Sequence, residues 1–141
     1  MANEIVLVDK WLYGVLSADS MLAGLVSTRI YSYLTPTGAG FPSIVYAYQG
    51  SMDVVAVGGI RIMNSGMYLV KAITQDNSMV GAAKSIADRI DALLHGQQFG
   101  VVTGGIVLAC VREYPIAYVE YLNGLRYNHC GGIFRVIAQG A

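Results

Sequence analysis

MYLVKAIT (residues 67–74), QDNS (75–78) and MVGAAKSIADRIDALLHG (79–96) follow one another without a break. The first run is rich in β-branched and aromatic side chains and reads as a strand. The second is four polar residues of the kind that cap a helix. In the third, Met79, Ala83, Ile86, Ala87, Ile90, Leu93 and Leu94 recur at three- and four-residue steps and form one apolar stripe. Lys84, Asp88, Arg89 and Asp91 face away from it, and Gly96 is placed to end the helix. A strand that feeds a helix with a single apolar stripe predicts a sheet covered by helices on one side.

Upstream, Ile5, Val8, Leu12, Val15 and Leu16 mark a first helix, and Val6, Leu7, Trp11 and Tyr13 widen its apolar surface. The stretch 17–20 offers a turn and a new cap for a short helical piece with Met21, Leu22, Leu25 and Val26. Residues 29–34 (RIYSYL) and 43–49 (SIVYAYQ) are strands separated by a Pro/Gly loop. The segment 53–62 is apolar with a break at Gly58-Gly59, and suits either two short strands or a hairpin arm. Asn64-Ser65-Gly66 carries a turn signal. Downstream of the central helix come a loop, then strands over 106–114 and 116–122. A turn at Asn123-Gly124 follows, with strands over 125–128 and 132–138. Short hairpin connections predict an α+β fold, a mostly antiparallel β-sheet with two main helices packed on one face. One domain over 1–141 is the expected organisation.

Composition then limits what such a domain does. Hydrophobic residues make up 55 % of the 141 and charged residues 13 %, and nine basic residues cancel nine acidic ones. Typical soluble domains carry about 25 % charge, so the surface is charge-poor. The values exclude a disordered chain and a nucleic-acid binder built on a basic surface. Residues 92–111 carry no charge, but four glycines, His95, Gln97 and Gln98 break them as a membrane span. The N-terminus shows no secretory pattern, and two cysteines suit a cytoplasm that keeps thiols reduced. An apolar chain of zero net charge is expected to associate with copies of itself or with other proteins.

Chemistry is sparse. His95, His129, Cys110 and Cys130 lack the spacing of a metal site. His129 and Cys130 are adjacent, so a strand points them to opposite faces. Cys110 sits in an apolar run, as a packing thiol does. Asp88 and Asp91, like Glu113 and Glu120, read as ordinary solvated or interface charges. The glycine doublets fit neither dinucleotide nor phosphate loops, and read as bends and bulges in strands. No catalytic, cofactor or metal residue is predicted. The ten tyrosines are more telling, because tyrosine is enriched at protein interfaces. Tyr31 with Tyr33, and Tyr46 with Tyr48, are spaced to share a strand face, and Tyr114, Tyr118, Tyr121 and Tyr127 gather near the last turn.

The order of segments resembles a known family. WLYGVL (11–16) leads into DSMLAGLV (19–26), then Arg29-Ile30-Tyr31, a Pro/Gly loop and FPSIVY (41–46). Next come a strand, a polar cap and a helix ending in Leu93-Leu94-His95-Gly96. Arg112-Glu113 and Tyr118 then lead to Gly124-Leu125-Arg126-Tyr127, and Gly131-Gly132-Ile133-Phe134-Arg135 closes the sheet. This pattern resembles the tail terminator and tail-completion proteins of long-tailed bacteriophages. The apolar arm 51–65 departs from it.

The resemblance implies a non-enzymatic virion protein, assembled in the host cytoplasm and located at the head-proximal end of the tail. It would form a homo-oligomeric ring, by resemblance a hexamer, that stops tube growth and presents a head-joining surface. Its partners would be the tail tube protein and a head–tail connector, with DNA passing through the lumen unread. A neck or head-completion adaptor, or a tail-tube subunit, is the alternative role, and a small α+β ligand-binding domain a more remote one. The expected interface elements are the loop 35–41, the arm 52–63 and the segment 120–128. Their named residues are Tyr31, Tyr33, Phe41, Val54, Val55, Val57, Ile60, Ile62, Tyr118, Tyr121, Arg126 and Tyr127. The arm is apolar enough to add a strand to a neighbour's sheet edge.

Overall fold

The computed structural model describes residues 3–75 and 80–140, and of Val80 the backbone only. The chain order is α1 (Glu4–Ala18), α2 (Ser20–Val26), β1 (Ile30–Ser32), β2 (Ser43–Val55), β3 (Arg61–Gln75), α3 (Val80–Leu94), β4 (Gln97–Val102), β5 (Gly105–Leu122) and β6 (Leu125–Gly140). The strands form one sheet in the order β1-β2-β3-β6-β5-β4. Only β1 and β2 run parallel, and every other neighbouring pair is antiparallel. The fold is α+β, as the sequence predicts. Asp76, Asn77, Ser78 and Met79, read as the cap and first stripe residue of α3, lie outside the described residues.

Both long helices pack on the same sheet face. Leu7, Val8, Trp11, Leu12 and Leu16 of α1 and Ile86, Ile90 and Leu94 of α3 share one core with Ile44, Tyr46, Tyr68, Val70, Cys110, Phe134 and Val136. The α1 stripe is rotated from the expected one. Leu7 and Trp11 are buried, whereas Ile5 and Val15 are only half-buried. Trp11 turns inward because Gly100 of β4 leaves room: a Cβ there would lie 2.5 Å from the indole nitrogen. Total accessible surface is 7307 Å², close to the ~7,000 Å² of a compact chain of this mass. The apolar surface described below is therefore not a sign of loose folding.

The helices are tied together through Asp19. Asn3 caps α1, its side chain accepting from the Ile5 N–H at 2.9 Å. Asp19 caps α2 through Leu22 N–H at 3.0 Å. Its two oxygens also take a bidentate pair of bonds from Arg89 of α3, at 2.6 and 3.0 Å. The Arg89 hydrogen bonds, offset in part by burial, hold the Asp19 carboxyl below its ordinary range.

Several expectations are corrected. The strand expected over 29–34 stops at Ser32, because Tyr33 adopts φ +70°. Tyr31 and Tyr33 therefore do not share a strand face. Asn64-Ser65-Gly66 is no turn but part of β3, paired with Asp53, Met52 and Ser51. Its polar groups are used inside the ladder: the Asn64 amide donates to Ser51 Oγ and Asp53 Oδ1, both at 3.0 Å. Gly66 is needed where the Tyr68 ring would lie 2.7 Å from a Cβ. The real turn is at Ala56–Ile60, where Gly58 and Gly59 have positive φ, so the hairpin-arm alternative is the observed one. The loop expected after α3 contains β4. The four short strands expected over 106–138 are two long ones, β5 and β6.

Gly131-Gly132 in β6 marks a close approach rather than a bend. A Cβ on Gly131 would sit 2.1 Å from the Val70 carbonyl oxygen, and one on Gly132 2.8 Å from Arg112 Cδ. Gly131→Ala must push β3 and β6 apart, so it should cost at least about 2 kcal/mol by the overpacking rule, measured by urea denaturation. Asp19→Asn removes a carboxylate that is stabilising when ionised. The loss should be full above pH ~4, the ordinary carboxyl pKa, and should vanish as pH falls through the lowered native value.

Candidate assembly surfaces

Strand lengths put the candidate interface residues at two ends of the sheet. At one end, β2 and β3 run on as a hairpin beyond Asn64, the last β3 residue paired with β6. At the other end, Gln75 pairs with Tyr127, and β5 and β6 close at Asn123-Gly124, both with positive φ.

The arm carries Met52, Val55, Val57, Ile60 and Ile62 exposed, with Val57 fully so. Val54 is half-buried. Next to the turn, Arg61 reaches back in ion pairs to Glu4 of α1 at 3.6 Å and to Asp53 at 3.7 Å. An apolar hairpin with a charged anchor is held out from the core with its direction set.

The opposite end is built by the loop after β1. The loop lies over the helix-free face and, with β3, β5 and β6, borders a cleft of about 420 Å³. Phe41 packs edge-on against Tyr127 with ring centres 5.5 Å apart, and Tyr127 Oη accepts from Gln75 at 3.3 Å. Arg126 Nε donates to Asn128 Oδ1 at 2.8 Å. Tyr118 stacks flat on His129, centres 4.4 Å apart and planes within 7°. Lys71 Nζ donates to the Tyr118 hydroxyl at 2.6 Å. Glu120 lies 3.4 Å from His129 Nε2. Burial, and secondarily Lys71, lowers the His129 pKa. Tyr118, His129, Lys71 and Glu120 thus form a polar cluster on the helix-free face beside the loop, while Asn128 lies on the opposite face, bonded to Thr74.

Phe41 and Tyr127 are therefore in contact, and the cleft that they help to line also reaches His129, on which Tyr118 stacks. Tyr121 projects beyond them, exposed. Tyr31 is half-buried in β1, and Tyr33 is exposed beyond it. Tyr46 and Tyr48 are not on a free surface: Tyr46 is buried, and Tyr48 packs on Tyr68 with ring centres 5.6 Å apart. Phe99 and Val101 of β4, both exposed, were not anticipated. The signal available was their alternation after Gln97-Gln98, which the neighbouring glycines obscured. Arg112 and Glu113 point to opposite faces and find different partners, Asp91 at 3.5 Å and Arg135.

Cys110 lies in the core, where burial and Asp91 push its thiol up to about 12. Among the described residues, no three His, Cys, Asp or Glu side chains gather as metal ligands. None of the described helices is long and apolar enough to cross a membrane.

No protein-family model matches the chain, and no curated protein matches it. Among solved structures, it is similar to a chain of the virion of a native gene transfer agent particle. The TM-score is 0.73 over 92 % of each chain, at 21 % identity. The two chains share a fold.

Because His129 is held neutral, the native state resists its protonation. Stability should fall as pH drops below about 6.5, the ordinary imidazole value, until the lowered native pKa is passed. His129→Gln should remove that part of the pH dependence, read as urea midpoints at pH 7.5 and 5 (values chosen to bracket ~6.5).

Proposed function

We propose that the chain is a structural, non-enzymatic virion protein: a tail terminator whose single domain assembles as a hexameric ring on the head-proximal end of a tail tube. The observation that carries this reading is the shared fold with a virion-particle chain over nearly the whole of both molecules. The anchored apolar arm supports it, since a secreted or freely diffusing domain gains nothing from a fully exposed valine at the tip of a hairpin. The ring acts by blocking and adapting. One face takes the tube protein's stacking contact, and the other offers a different surface to a head–tail connector. DNA passes through the lumen without sequence readout. Assembly takes place in the host cytoplasm. The arm, the 35–41 loop and the 120–128 segment are the contact elements.

Ring formation requires head-to-tail contacts that close. Deleting 54–61 should leave the circular dichroism spectrum and the core intact, because these residues lie outside the helix–sheet core. It should convert the oligomer to a monomer in light scattering. An unchanged oligomer would show that the arm is not the interface. Electron microscopy of the intact protein should show discrete rings, and open-ended filaments would instead indicate a tube subunit.

A further inference from the structure

Both outer neighbours of the long strands are too short to cover them. β1 pairs only with Ile44, Val45 and Tyr46 of β2, which leaves 47–55 without a strand on that side among the described residues. β4 pairs with β5 only as far as Cys110. Beyond it the Arg112 N–H goes to His95 Nδ1 at 2.9 Å, and the rest of 111–122 has no outer strand among the described residues. Long bare edges are normally blunted by charge, proline or cover, because they template pairing. The β5 edge carries Pro115 with Arg112, Glu113 and Glu120, but Val111, Tyr114, Val119, Tyr121 and Leu122 are exposed along it.

The two bare edges lie on opposite sides of the sheet and at opposite ends of it. Ser51, the midpoint of the β2 edge, shares a row with Gly66, Val136 and Cys110. Ala117, near the midpoint of the β5 edge, pairs with Cys130. The edges are thus staggered by six residue steps along β6, from Val136 to Cys130. β2 and β5 run in opposite directions, since β2–β3, β3–β6 and β6–β5 are each antiparallel. The β2 edge of one molecule therefore meets the β5 edge of a like-oriented neighbour as an antiparallel pair.

We infer that β2 residues 47–55 of each molecule pair with β5 residues 113–121 of a second copy of this chain, making a sheet that runs continuously around the ring. The inference rests on the ring reading above and specifies its contact. The stagger is ~20 Å at ~3.4 Å per residue, and the four long strands span ~19 Å at ~4.8 Å each. Copies displaced by both amounts stay level only if the strands lean about 45° from the ring axis, near the ~35–45° tilt of closed barrels. The same stagger with upright strands would give a spiral. A two-fold dimer pairing β5 with β5 would leave β2 bare, whereas the head-to-tail contact uses both edges at once.

The test is disulfide cross-linking in a Cys130→Ser background, with Cys110 left buried. Ser51→Cys combined with Ala117→Cys, and with Val119→Cys to allow for register, should give under oxidation a ladder of covalent oligomers on a non-reducing gel. The single variants should not. Val119→Lys with Tyr121→Lys, both at exposed positions, should keep the circular dichroism spectrum and abolish the oligomer. An oligomer of unchanged mass with neither effect overturns the edge pairing and leaves the ring standing. A monomer at every concentration overturns both.

Discussion

One-sided burial governs this molecule. α1 and α3 cover a single face of the sheet, and the main buried cluster lies between them and it, with Val45, Ile73 and Ile133 buried on the other face. The other face carries no helix, only a loop and a polar cluster centred on His129. Strands kept in place by one packed face are free to extend past it. β5 and β6, at 18 and 16 residues, are far longer than the five or six residues usual for a strand. Their surplus length is stabilised by each other rather than by the core. Both protruding hairpins follow from that arrangement.

The charge-poor composition is explained by the same geometry. The excess apolar residues do not enlarge the core beyond what a chain of this size buries. Many of them are exposed on the arm, on β4 and along β5, and others on the outer faces of α1 and α2. Where a charge does appear near these surfaces it is paired across elements, as in Arg61 with Glu4 and Asp53, and Arg135 with Glu113. Such pairs contribute little stability at the surface, but they fix the direction in which a hairpin leaves the body.

The helices and the sheet class were legible because their signals are local. The apolar stripe of α3, the capping Asp19 and the Asn123-Gly124 turn each act over a few residues. The strand continuity was not legible, because it depends on partners distant in sequence. Asn64 reads as a turn residue until Ser51 and Asp53 stand opposite to take its hydrogen bonds. Gly131 reads as a bend until the backbone of β3 is seen against it. Exposure at the candidate surfaces was only partly legible. Val57 and Tyr121 are exposed as a contact residue must be, whereas Tyr46 and Tyr48 belong to the core and Phe99 and Val101 were hidden in an apparent loop. Residue type reports affinity for interfaces, but only topology decides which tyrosine faces outward.

A bare edge on a preformed hairpin differs from a sticky loop in what association costs. Backbone ordering is a large part of the entropy of binding. In β2 and β5 it is already spent on folding, through the β3 and β6 ladders. A partner strand then gains hydrogen bonds without fixing new backbone. The same rigidity carries a risk, because two bare edges on every copy can polymerise without limit. In the proposed assembly the stagger between those edges, set by how far β1 and β4 extend along their neighbours, would separate a ring from a fibre. In the proposed ring the short outer strands have a role beyond covering the sheet: their lengths would set where the next molecule begins.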